Sequence, residues 1–283
     1  MKKYFNLTST FLLVLALVAS GCKKEKEEDN DTESSRDDAQ AESIFSEINE
    51  IADQAVIDGQ LSTHRFGTGG GSFLTSCATV TVTIDSLNGS GNAVVDFGTH
   101  FCLGADSKYR KGAITVSFTG PYRNPGTVIT MTATNYYVGH DSTSATKVTG
   151  ERKVTNNGLN LSGHLNYSIE VNATLVNYLN QQMNWHSTRN REWIAGDTTA
   201  IWNDDEYLVT GSANGKSFSG TGFSASITQA LHVILGCQWR IVEGKFTLTP
   251  EGKAARNFDF GDGTCDVNAT VTIGDKTYEV NLR

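Results

Sequence analysis

Thr79-Val80-Thr81-Val82-Thr83-Ile84 sets an apolar residue at every second position, with threonine in between. A period of two is the mark of a strand that has one face in a core and the other in water. The alternation returns in Ile114-Thr115-Val116-Ser117-Phe118-Thr119 and in Ile129-Thr130-Met131-Thr132-Ala133-Thr134. It recurs at Leu165, Tyr167, Ile169 and Val171, at Phe246 and Leu248, at Val267, Ala269, Val271 and Ile273, and at Tyr278, Val280 and Leu282. Asn88-Gly89, Asn124-Pro125-Gly126, Asn157-Gly158, Asn214-Gly215 and Gly274-Asp275 divide these runs. Such residues supply the positive φ that tight turns need. Connections this short join antiparallel neighbours and cannot carry the chain over a sheet to make a parallel pair.

The expectation is an all-β domain over residues 73–283, a long antiparallel meander of about a dozen strands that either splits into a sandwich or curves strongly. Ser226 to Leu235 leaves room for one short helix inside it. The 28 glycines against three prolines fit strands joined by tight turns. A length of 283 residues is ample for a buried core. The formal charge of −8, with lysines and arginines scattered, argues against a nucleic-acid partner.

Before the strands the period changes. Over residues 37–59, Ile44, Phe45, Ile48, Ile51, Ala52, Ala55 and Val56 fall on one helical face, and Gly59 is a stop signal. This amphipathic helix needs a surface to bury its stripe, and the sheet that follows is the simplest one. Its polar face is acidic, which speaks against a membrane-surface helix. Gly67-Thr68-Gly69-Gly70-Gly71 lacks the Lys-Ser/Thr ending of a phosphate loop and reads as a linker.

A second pattern is laid over the strands. Asp96-Phe97-Gly98-Thr99-His100-Phe101-Cys102 and Asp259-Phe260-Gly261-Asp262-Gly263-Thr264-Cys265 both read D-F-G-x-x-x-C, and Cys77 and Cys237 precede them at similar distances. In an oxidising compartment this repeat favours the local bridges Cys77–Cys102 and Cys237–Cys265. The Asp-Phe-Gly element reads as a turn, with aspartate capping and glycine at positive φ. Asp259, Asp262 and Asp266 raise the question of calcium, although their spacing departs from the D-x-[DN]-x-[DN]-G loop. No metal or cofactor motif is present, so no cofactor is expected.

The fifth cysteine belongs to the amino terminus. Lys2 and Lys3, the apolar run from Phe11 to Val18 and the small residues Ala19, Ser20 and Gly21 make a secretory signal over 1–21. Val18-Ala19-Ser20-Gly21-Cys22 resembles a bacterial lipobox, which implies cleavage before Cys22, its acylation, and attachment to a membrane without a spanning helix. Residues 22–36 then form a charged, mostly acidic tether that cannot bury a core. A run of this kind resembles the surface-export signal of Bacteroidota lipoproteins, which implies display on the outer face of the outer membrane. The lipobox, tether, helix, threonine-rich meander and D-F-G-D-G-T-C-D ending together resemble a family of Bacteroidota lipoproteins, covering most of the mature chain. That likeness implies an anchored β protein and carries over no site residue.

Chemistry is hard to find. The six histidines occur singly, and no serine sits in a nucleophile motif. The chain therefore reads as non-enzymatic. Its richest aromatic and basic stretch holds Trp185, Arg189, Arg191 and Trp193, which share one face of a strand and offer a ligand surface for a glycan or a protein. The first expectation is thus a lipid-anchored surface lipoprotein that binds or adheres through this patch. The second is a carrier or assembly factor with an apolar ligand in the concavity of a curved sheet. The third, a glycan-processing enzyme, needs a carboxylate pair across a cleft; Asp204-Asp205-Glu206 reads more simply as a solvated turn.

Overall fold

A computed structural model describes residues 29, 32–58, 78–104, 106–199, 203–237, 241–266 and 268–281. The signal over 1–21, Cys22, the tether up to residue 28, the glycine run 67–71 and Cys77 lie outside the described residues.

The chain opens with one helix, α1 (Glu33–Asp58). Fourteen strands follow: β1 (Thr79–Ile84), β2 (Gly91–Asp96), β3 (Cys102–Leu103), β4 (Tyr109–Phe118), β5 (Val128–Gly139), β6 (Thr146–Leu159) and β7 (Leu165–Val176) make the first half, and β8 (Gln182–Ala195), β9 (Glu206–Lys216), β10 (Gly222–Ile234), β11 (Ile241–Pro250), β12 (Arg256–Asp262), β13 (Asn268–Ile273) and β14 (Lys276–Asn281) the second. They form one sheet in chain order, antiparallel throughout, with only the two-residue β3 off the path as a third partner of β4. The meander is therefore present and the sandwich is not. β1 and β14 are unjoined edges, so the sheet is not closed into a barrel. Ser226 to Leu235 lies in and just beyond β10 rather than in a helix, because cross-strand pairing on both sides overrides its local helical spacing.

The alternation does what it promised. On β4, Ile114, Val116 and Phe118 are buried while Thr115 and Ser117 are exposed. Residues Ile44, Phe45, Ile48, Ile51, Ala52 and Ala55 of α1 are buried as well. The helix begins at Glu33, four residues ahead of the expected start, so the last residues assigned to the tether are helical. Asp29, farther back, accepts from Arg256 of β12, with Nη2 at 2.6 Å and Nη1 at 2.9 Å, and so docks on the sheet.

Where α1 lies can be read from its bonds. Asp38 meets Trp185 and Glu42 meets Arg189, both on β8, and the field of Arg191, farther along β8, reaches Asp53. The helix is thus tied to β8 by Asp38 and Glu42, while its nearest backbone neighbour is β2. Its other side carries Glu47 to Arg110 on β4, where Nε donates to Oε1 at 3.0 Å. A flat sheet would set β4 and β8 about 19 Å apart, wider than a helix of about 10–12 Å. One helix can bond to both only if the sheet curls around it.

Glycines at bulges permit the curl. Gly112 sits at the register shift between β4 and β5 with φ of 87°, and a Cβ there would lie 2.0 Å from the Asn135 carbonyl oxygen. Gly211 on β9 has φ of 128°, and its Cβ would lie 2.2 Å from the Thr188 carbonyl oxygen. Only glycine fits either place, and bulges of this kind bend a strand and raise its twist.

Candidate functional site

The Asp-Phe-Gly repeat is resolved as two copies of one turn. Asp96 Oδ1 accepts from the Gly98 amide at 2.7 Å and Asp259 Oδ1 from the Gly261 amide at 3.1 Å, with Gly98 at φ 77° and Gly261 at φ 95°. Cys237 and Cys265 are bridged with Cα atoms 5.8 Å apart. Because they follow β10 and β12, which flank β11, this bridge spans a strand instead of joining two adjacent ones. Cys102 is disulfide-bonded too; its expected partner Cys77 lies outside the described residues. Asp262 and Asp266 are occupied with local turns, accepting from the amides of Thr264 and Asn268, and no described residues form a metal-binding group with Asp259.

The surface expected from Trp185, Arg189, Arg191 and Trp193 does not form. All four share a face as their parity requires, but that face is the inside of the curled sheet. Trp185 and Trp193 are 1% and 2% exposed. Trp185 stacks on Phe45 of α1 at 5.9 Å and donates its indole N–H to Asp38 at 2.7 Å. Trp193 sits in a box with Tyr122, Tyr167 and Tyr207, whose rings lie 5.5–6.5 Å away. Arg191 enters that box, bonded to the Tyr122 hydroxyl, with its guanidinium 4.8 Å from the Tyr207 ring and 5.3 Å from that of Tyr167. Burial of aromatic area outweighs what these rings would offer a ligand outside.

The two arginines instead reach a cavity of about 550 Å³ between α1 and the second half of the sheet. Its wall is apolar, made of Val171, Val209, Ile227, Leu231, Val233 and Phe246, with Phe260 of the second Asp-Phe-Gly turn at its margin. Val209, Ile227, Val233 and Phe246 are only half-buried, although they belong to the apolar inner side of the sheet. Opposite them α1 presents Ala39, Glu42, Ser43, Ser46, Asn49 and Glu50, a stripe of small and polar residues at helical spacing. Small side chains there leave the space open.

At one end stand Arg152, Ser187, Arg189 and Arg191. Register places them: Arg152 of β6 pairs with Val171 of β7, which pairs with Ser187 of β8, and Arg189 is the next inward residue along. Arg189 donates to Glu42 of α1 at 3.0 Å. Asp38, its indole bond notwithstanding, is pushed up to about 6 by burial. Asp53, buried still more deeply, lies well above the usual carboxylate range and accepts from Asn49 at 3.1 Å.

Of the acidic triple, only Asp204 is the exposed turn residue expected. Asp205 is buried, accepts from the Tyr207 hydroxyl at 3.2 Å and is pushed up to about 6 by burial, while Glu206 pairs with His232 at 2.8 Å on β10. Comparison with known protein families, with curated proteins and with solved structures finds no match.

Sequence reasoning missed Arg152, Ser187 and the acids of α1. A signal was there for Arg152: Val148, Gly150, Arg152 and Val154 share one parity, so the arginine sits in line with core residues.

Proposed function

We propose that this is a lipid-anchored binding protein that holds an apolar or amphiphilic ligand in the cleft between α1 and strands β6 to β12. The observation that carries the reading is the set of half-buried apolar side chains, Val209, Ile227, Val233 and Phe246, that line a cavity of about 550 Å³. A space of that size suits one small molecule, within the roughly 300–1,000 Å³ usual for ligand sites. Apolar walls facing water forgo the transfer free energy that a hydrocarbon chain would restore. A carrier therefore stands ahead of an adhesion module here, since the tryptophans that such a module would display are inside.

Anchoring rests on the lipobox-like residues Val18 to Cys22, and outer-membrane surface display on the acidic run that follows. No helix among the described residues is long and apolar enough to cross a membrane. Acylation of Cys22 is the means of attachment in this reading, and no catalytic step is assigned. A Cys22→Ala chain should leave the membrane fraction; retention there would remove the anchor from the account.

The cleft is tested with the unacylated Cys22→Ser chain and hexadecanol, titrated by equilibrium dialysis. Saturable binding of one molecule, abolished by Val209→Trp in a chain that still melts cooperatively, is the expected result. Unaltered binding by the filled variant would place the ligand elsewhere.

A further inference from the structure

We infer that the cleft takes the anionic headgroup of an amphiphile, a carboxylate or a phosphate, against Arg152 with Ser187 beside it. This rests on the reading of the cleft as the ligand site and adds the chemistry of the ligand's polar end.

Arg152 is 6% exposed, lines the cavity, and its Nε has no hydrogen-bond partner. A guanidinium stays protonated in proteins, and burying one without acceptors costs several kcal/mol. Ser187, 1% exposed, also lines the cavity with its hydroxyl unpartnered. The sheet thus sets the Arg152 guanidinium, with the Ser187 side chain beside it, against a cavity whose sheet side is otherwise mainly valine, isoleucine, leucine and phenylalanine.

The acids nearby do not use Arg152 up. Glu42 is engaged by Arg189 at 3.0 Å, Asp38 by the indole of Trp185 and Asp53 by Asn49; Glu50 has a partner of its own. The fields of Glu42 and Asp53 reach Arg152 without a hydrogen bond. Arg191 gives one Nη to the Tyr122 hydroxyl and packs against the Tyr207 ring, so that although its Nε is also unpartnered its guanidinium is held among the tyrosines. An oxyanion fits the remaining site because guanidinium meets carboxylate and phosphate in a planar, two-pronged arrangement that a neutral hydroxyl cannot match.

The test compares four probes of one chain length on the Cys22→Ser chain at about pH 8, where palmitate carries its charge: palmitate, hexadecyl phosphate, hexadecanol and hexadecyltrimethylammonium. Palmitate or hexadecyl phosphate should bind at least about tenfold more tightly than hexadecanol, the margin that a hydrogen bond to a charged group contributes. The cationic probe should bind most weakly. Arg152→Gln should bring both anions to the level that hexadecanol shows with the same variant. Whichever anion leads identifies a fatty acid or a phosphate ester as the headgroup. Equal binding of hexadecanol and the anions by the unsubstituted chain would overturn the inference while leaving the cleft in place, and that comparison needs no variant to fold. A preference for anions that survives in Arg152→Gln overturns it as well. If no probe binds, the cleft reading falls and takes this one with it.

Discussion

The inner face of the sheet has two halves built to the same alternation and filled in different ways. On β4 and β5, Ile114, Val116, Ile129 and Met131 are at most 1% exposed, because α1 lies on them. On β9 to β11, Val209, Ile227, Val233 and Phe246 are only partly buried, because α1 is narrower than the curl and its facing side carries serine, asparagine and glutamate. A period of two tells which side chains turn inward. It does not tell what meets them there, which depends on how one helix divides a concavity that fourteen strands enclose.

Three substitutions probe this contrast. The largest effect belongs to the filled half. Phe45→Ala removes a side chain that is 1% exposed and stacked on Trp185, so unfolding in urea should show a loss of about 3–5 kcal/mol. A loss below about 1 kcal/mol would mean that α1 is not packed as described.

The boundary between the halves is sensitive to pH. Asp38 has a folded value of about 6 against an ordinary 3.8, so the folded state holds its proton more firmly than the unfolded state does. Its contribution to stability is fully present below the unfolded value and is lost as pH rises through the folded one. Between about pH 4 and pH 7 that loss amounts to about 2–3 kcal/mol. Asp38→Asn keeps an acceptor for the Trp185 indole and cannot ionise, so it should match the parent in acid and exceed it by about 2 kcal/mol at neutral pH. Parallel stability profiles for the two chains would place Asp38 in water.

The smallest effect belongs to the open half. Val233→Ala trims a half-buried wall residue that faces space already, and should cost less than about 1 kcal/mol while weakening hexadecanol binding. A cost as large as that of Phe45→Ala would show the wall to be packed core.

Much of the architecture was open to reading from the chain. The strand pattern of β1, β4 and β5, the single helix, the turn made by Asp96 and Asp259, and the bridge between Cys237 and Cys265 all follow from period, capping chemistry and cysteine spacing. The sandwich was an equal option because a long meander says nothing about whether it breaks; glycines placed at bulges, such as Gly211, decide that and look like turn residues in a sequence. The site was harder. Trp185 to Trp193 was correctly placed on one face, but parity alone does not say which face is inner. The acids of α1 read as a solvated surface, yet Asp38 and Glu47 are buried against Trp185 and Arg110. Charges scattered along a sequence give no hint that they will meet inside.

The contrast itself can be measured by methyl NMR of the Cys22→Ser chain with stearate carrying a nitroxide near its chain end. Paramagnetic broadening should select Val209, Ile227, Leu231 and Val233 and spare Ile114, Val116 and Ile129. Broadening of both sets alike, or of neither at saturating probe, would contradict a ligand cleft in the second half of the sheet.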